Sequence, residues 1–203
     1  MVDKHLLYSS QMEVIAMFDI AVIGAGPAGA SAALFTAKAG KKTLLIDNDK
    51  SITKRAWIRN HYGVKEITGP DLITTGKQQA AEFGAELIED TVENIVKTDS
   101  GFKIETEKQS FEAKQVIIAT GVATQLAENI GLKTKPGTEP RIKTVLEVDA
   151  NGKTNIDGIW AAGTIAGVSV HTIITAGDGA KVAINVLSEL NGERYVDHDI
   201  LQA

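Results

Sequence analysis

Gly24-Ala25-Gly26-Pro27-Ala28-Gly29 sets glycines at the first, third and sixth positions of a loop, and Asp47 stands twenty-three positions after the first of them. Residues of these types at this spacing can bind a pyrophosphate and the ribose next to it. Gly24 allows a tight turn, Gly26 lets backbone approach a phosphate, and Gly29 lets a helix pack close to the preceding strand. Pro27 and Ala28 would open that helix, whose free N–H groups and positive dipole end face the phosphates. A carboxylate at Asp47, with Asn48 beside it, can accept hydrogen bonds from both ribose hydroxyls. Asp47 and Asp49 would repel a 2′-phosphate, which favours FAD or NAD over NADP.

The loop does this only if the flanking elements hold it. Residues 19–23 form a short β-rich run before Gly24, 28–39 are alanine-rich and stop at Gly40, and 43–46 form a second apolar run closed by Asp47. That is strand, glycine turn, helix, strand, the βαβ unit of a parallel sheet. Residues 69–84 have a helical pattern with Pro70 suited to a first turn. Residues 86–96, 102–107 and 112–118 read as an antiparallel three-stranded meander, and 115–120 run on into Gly121. Residues 122–150 look loop-rich, 159–162 read as one more strand, and 171–190 as a closing helix. The fold class expected is α/β: a Rossmann-like parallel sheet with helices on its faces and an inserted meander.

Composition narrows the field. The 203 residues suit one domain, and 43% hydrophobic residues suffice for a core. A net charge of −5 argues against nucleic acid or an anionic membrane as partner. No apolar run approaches the roughly 18 residues of a membrane-spanning helix. The four histidines, His5, His61, His171 and His198, lack metal-site spacing, so no metal is expected. Cysteine is absent, which removes disulfides, thiolate metal sites and cysteine redox chemistry from this chain. Residues 1–16 do not read like the rest and lack a secretory pattern, so they are read as a leader or extension before a single domain over 17–203. A cytoplasmic location is then the default.

Further motifs distinguish the two dinucleotides. They are Ile67-Thr68-Gly69-Pro70-Asp71-Leu72, Ala119-Thr120-Gly121, Gly158-Ile159-Trp160-Ala161-Ala162-Gly163 and Thr175-Ala176-Gly177-Asp178-Gly179. With the glycine loop they make the chain, from about Phe18 to Gly192, resemble the FAD-binding domain of thioredoxin-reductase-like flavoproteins in the pyridine nucleotide–disulfide oxidoreductase superfamily. The resemblance implies non-covalent FAD and assigns roles by position. Asn60 would contact the flavin side, and the Val92 backbone would meet the adenine. Ala119, Thr120 and Gly121 would pass the diphosphate and adenosine half, and Gly163 would approach the ribityl chain. His171 and Thr172, opening the last helix, would face the pyrimidine edge of the flavin, where a positive helix end favours the reduced anion.

The chain departs from that family in three ways. Thr164 stands where the family has the aspartate that binds a ribityl hydroxyl, so weaker FAD binding is expected. Only 36 residues separate Gly121 from Gly158, too few for the family's second dinucleotide domain, and no second G-x-G-x-x-G occurs. The redox Cys-x-x-Cys, which that domain would carry, is missing with it, so no dithiol relay can run through these residues.

Other features carry two readings each. His171, usually glutamine in the family, could donate a hydrogen bond to the flavin or serve as a structural helix-end residue. In Lys54-Arg55-Ala56-Trp57-Ile58-Arg59 the cations could meet the diphosphate and Trp57 could cover the flavin, or the stretch is a solvated basic loop with Trp57 tucked onto the core. The function expected is an FAD-dependent oxidoreductase working without a cysteine pair. The alternatives are a non-catalytic nucleotide-binding module or partner subunit, and an NAD-binding Rossmann protein. Electrons would come from NAD(P)H docking on the flavin or from a separate donor protein, and the resemblance extends to pairing as a homodimer.

Overall fold

A computed structural model of the protein describes residues 17–201. The leader expected over residues 1–16 lies outside the described residues.

In chain order the elements are β1 (Met17–Ile23), α1 (Pro27–Lys38), β2 (Thr43–Asp47), a 3-10 turn (Ile52–Arg55), β3 (Trp57–Ile58), β4 (Ile67–Thr68) and α2 (Gly69–Glu82). There follow β5 (Glu86–Glu89), β6 (Val92–Thr98), β7 (Gly101–Thr106), β8 (Ser110–Ile118), α3 (Gln125–Asn129), β9 (Thr134–Pro136) and β10 (Thr144–Leu146). The chain closes with β11 (Ile159–Ala161), a 3-10 turn (Gly163–Ala166) and α4 (Thr172–Asn191).

One seven-stranded sheet runs β5-β2-β1-β8-β7-β6, with β11 also on β8. The pairs β5–β2, β2–β1, β1–β8 and β8–β11 are parallel, and β6–β7–β8 is the antiparallel meander. The expected fold class therefore holds. β8 serves both halves because it is nine residues long. Its first half pairs with β7 as far as Ala113, and its second half pairs with β11 from Val116 onward.

Alternation along β1 sorts the core into two layers. Ile20 and Val22 face α1 and α4, meeting Ala32, Ala33, Val182 and Leu187. Ala21 and Ile23 face the other way, toward Phe102, Ile104, Ala127 and Leu146, and Phe18, near the start of the strand, joins that second layer outside the alternation. Strands apolar on both faces are what a covered parallel sheet requires.

Two expectations need correction. The run 86–96 is not one strand of the meander: it breaks at Asp90-Thr91, and β5 joins the outer edge of the parallel sheet beside β2. The break is held locally, since the Asp90 N–H donates to the Asp47 carbonyl (3.1 Å) and the Asp90 carboxylate accepts from the Thr91 N–H (2.8 Å). Apolar alternation gives no sign of which neighbour a strand takes. The stretch 122–150 is likewise more ordered than loop, holding α3 and the two-stranded β9–β10 ribbon.

Candidate functional site

The parallel strands end together, and their carboxyl ends define the site. Gly24, directly after β1, takes the left-handed backbone (φ +99°) that a side chain would disfavour, and its N–H donates to the Ile46 carbonyl (2.7 Å). A Cβ at Gly29 would lie 1.7 Å from the Gly24 carbonyl oxygen, so helix and strand approach this closely only with glycine there. Pro27 occupies the first turn of α1. No side chain caps that end and no acid lies in its first turn, which leaves it suited to an anion.

A cavity of about 500 Å³ opens over this loop. Gly24, Gly26, Pro27 and Ala28 line its floor, with Asp47 and Asn48 at the end of β2. Val92 lies at one side, while Ala119, Thr120 and Gly121 follow β8. Thr164, only 7% exposed, lines the opposite part together with Thr175 of α4. Eleven of the sixteen candidate positions thus come together, drawn from five separate stretches of chain.

The other five do not line it. Gly29 packs behind the loop. Gly163 lies one layer deeper, where its N–H donates to the Asp178 carboxylate (2.8 Å). Asn60 is exposed, and its neighbour His61 instead reaches α4 through the Thr172 hydroxyl (3.0 Å). His171 is exposed and meets the Ser169 hydroxyl (2.8 Å), while its carbonyl accepts from the Ile174 and Thr175 N–H groups (both 3.0 Å). The cavity reaches α4 at Thr175 and Val170, close to but not at the positions expected. Trp57 is 66% exposed on β3, outside the lining, and Ile58 is the residue turned into the core.

Asp47 is the charged focus. It is 8% exposed, one carboxylate oxygen accepts from the Ala25 N–H of the glycine loop (3.2 Å), and the other pairs with Lys77 of α2. Lys77 also lies 3.8 Å from Asp49, which pairs with Lys54. The Lys54 ammonium holds the Asp49 carboxyl below its ordinary range. Asp49 has the left-handed backbone (φ +60°) that aspartate tolerates better than most residues.

Sequence reasoning missed Lys77, Asp178 and the α3 wall. Lys77 stands thirty positions from Asp47, and only the packing of α2 on α1 brings the two together. Asp178 carried a usable signal: an acid inside the Ala-Gly-Asp-Gly run of a helix must find a partner when buried, and it is 8% exposed. The α3 wall, with Leu126 and Asn129 on the cavity, left no pattern in a stretch read as loop.

The arrangement offers an elongated dinucleotide three things in line. These are a buried carboxylate for ribose hydroxyls, a glycine-lined helix end for the diphosphate, and a polar passage past Thr164 and Thr175. Among the described residues no helix is long and apolar enough to cross a membrane, and no cluster of His, Cys, Asp or Glu could hold a metal ion.

The family model for pyridine nucleotide-disulphide oxidoreductase matches residues 18–124 and 77–180. A thioredoxin reductase of Peptoclostridium acidaminophilum is 44% identical over 115 residues, covering 55% of this chain and 36% of that protein. One from Peptoclostridium litorale is 41% identical over 125 residues, covering 60% and 40%. The chain thus spans well under half the length of these curated relatives. The solved structure of a thioredoxin reductase from Gloeobacter violaceus superposes with a TM-score of 0.73 at 19% identity, covering 91% of this chain and 99% of that one. At that identity the likeness speaks for the fold.

Proposed function

The chain belongs to the pyridine nucleotide-disulphide oxidoreductase family, and on that premise we propose that it binds FAD non-covalently and passes electrons through it between a donor and an acceptor, with no dithiol in these residues. The cavity running from Asp47 over the glycine loop to Thr175 is the observation that carries this reading. Its residues fit the group. Asp47 and Asn48 would take the adenosine ribose, and the backbone at Val92 would meet the adenine. The Gly24–Gly29 loop and the N-terminus of α1 would hold the diphosphate, beside Ala119, Thr120 and Gly121. Thr164 would flank the ribityl chain with Gly163 behind it, and Val170 and Thr175, where the cavity meets α4, would border the flavin end, with Asn60, His171 and Thr172 outside the lining.

Bound there, FAD supplies hydride and single-electron transfer at its ring system. The chain's own part is to bind, orient and tune. The N-terminal end of α4 contributes a positive potential, which favours negative charge on a reduced flavin. Thr164, a neutral hydroxyl, gives a ribityl hydroxyl a weaker acceptor than a carboxylate would. Cysteine is absent from the sequence, so these residues offer no thiol between the flavin and an acceptor.

The test is spectroscopic. Protein reconstituted with FAD and freed of excess cofactor should keep a flavin spectrum, and anaerobic NADH, NADPH or a reduced carrier protein should bleach it, with air restoring it. A protein that retains no flavin but binds NAD would overturn the proposal in favour of a simple Rossmann carrier. Retained flavin that no reductant bleaches would make it a binding module.

A further inference from the structure

We propose that Lys77, from outside the cavity, holds the Asp47 carboxylate in the orientation that accepts ribose hydroxyls, and so sets the site's preference for ribose over 2′-deoxyribose in an adenine nucleotide. The proposal rests on the dinucleotide reading given above.

Lys77 does not line the cavity, whereas its partner Asp47 does. Both side chains are largely covered, at 23% and 10% exposed. An ionised carboxylate has about four acceptor positions. In Asp47 one oxygen is engaged by the Ala25 N–H and the other by Lys77, so both oxygens are tied and the carboxylate plane is fixed. Two acceptor positions remain, the number that the two ribose hydroxyls need. Ala25 alone would leave the carboxylate free to turn about its single anchor.

Charge gives a second reason. Asp47 and Asp49 share the Lys77 ammonium, and Lys54 takes Asp49 from the other side, so cations and anions alternate along this edge. Without Lys77 a buried carboxylate loses its counter-ion and stands near a second carboxylate, an unfavourable arrangement that rotation toward solvent relieves. The fold invests in the contact. A Cβ at Gly76, the residue before Lys77, would lie 3.0 Å from the Ala30 Cβ, so α2 sits close against α1 at the point where Lys77 leaves it.

A structural ion pair and a positioning residue predict different things, and the 2′-hydroxyl separates them. Dissociation constants for ADP, 2′-deoxy-ADP and FAD are measured by calorimetry on the wild type and on Lys77→Met, Lys77→Gln and Lys77→Arg. Hydrogen bonds to a charged group of this kind correspond to about a tenfold preference of the wild type for ADP over 2′-deoxy-ADP. In Lys77→Met and Lys77→Gln that ratio should fall below about twofold and FAD should weaken by a similar factor, while Lys77→Arg restores both. An unchanged ratio in Lys77→Met overturns the proposal even if overall affinity drops, because the pair is then only structural. Unfolding of both the Met and the Gln variants overturns it in the same way. A wild type that binds FAD with no preference for the 2′-hydroxyl also refutes it and leaves the FAD reading standing. A wild type that binds neither ADP nor FAD removes the dinucleotide reading itself, and this inference with it.

Discussion

Asp178 lies inside α4, is 8% exposed, and accepts a 2.8 Å hydrogen bond from the Gly163 N–H, the residue that turns the chain from β11 into the cavity wall. Replacing it with alanine strands that buried N–H, and a hydrogen bond to a charged acceptor is worth about 1.5–3 kcal/mol. The same carboxylate pairs with Lys181, but that lysine is 50% exposed, so its share is at most about 0.5 kcal/mol. Alanine's better helix propensity returns roughly 0.5 kcal/mol. The net loss is about 1–3 kcal/mol, a fall in Tm of about 2–12 °C for a chain of this size. Asp178→Asn keeps an acceptor oxygen for Gly163 and should cost only about 1 kcal/mol. Lys181→Ala should shift Tm by no more than about 2 °C. Differential scanning calorimetry on the three variants without added nucleotide makes the comparison. Equal losses for Asp178→Ala and Asp178→Asn, or a Lys181→Ala loss as large as that of Asp178→Ala, would refute the assignment of this stability to the Gly163 contact.

Asp47→Ala should weaken FAD binding by about 1–3 kcal/mol, read by flavin fluorescence titration, since it removes the ribose acceptor and releases the Ala25 N–H; unchanged affinity would count against the ribose assignment. Thr164→Asp should tighten FAD, because the added carboxylate offers a ribityl hydroxyl a charge-assisted bond at a position that already lines the cavity; clear weakening would show that Thr164 does not face that chain. Burial raises the Asp19 carboxyl, but Lys114 (2.8 Å) and the Lys42 N–H (3.0 Å) outweigh it and hold the group below the ordinary aspartate value. A depressed folded-state pKa gives stability that is present above about pH 4 and lost as pH falls through the folded value. Lys114→Met should therefore lower Tm by about 1–2 °C at pH 6, and the gap should close as the pH falls well below the ordinary aspartate range; a gap that persists there would place its origin elsewhere.

The site was legible in the sequence where its chemistry depends on local backbone. Gly24, Gly26 and Gly29 answer to a tight turn and a close approach, and both demands leave glycine at fixed spacing. Asp47 ends an apolar run and could be found by counting from the loop. The sheet was legible for a similar reason, since β1, β2 and the last three residues of β8 are apolar runs followed by turn residues. What the sequence concealed depends on tertiary neighbours. Residues 86–96 hold two strands with different partners, β2 for one and β7 for the other, divided at Asp90-Thr91. Lys77 looks like any lysine of an amphipathic helix, and its role exists only because α2 packs on α1. The opening of α4 was foreseen, but His171 and Thr175 stand about one turn apart along it, and which level borders the cavity depends on where the helix end sits, which the position of a motif does not supply.

The short connection from Gly121 to Gly158 still brings the ends of β8 and β11 to one cavity. Thr120-Gly121 and Thr164 can border the same space only if β8 and β11 end side by side. Register does this: Ile118 pairs with Ala161, and the Ala162 N–H donates to the Ile118 carbonyl (3.0 Å). Any connection that leaves β8 and returns to that register is sufficient, whatever its length. Here 36 residues fold as α3 and the β9–β10 ribbon, and they add to the site, since Leu126 and Asn129 of α3 form part of the cavity wall. A connection this short leaves no second glycine loop between the two strands. On the FAD reading, NADPH and a carrier protein would both act on the same flavin, so bleaching by one should compete with bleaching by the other.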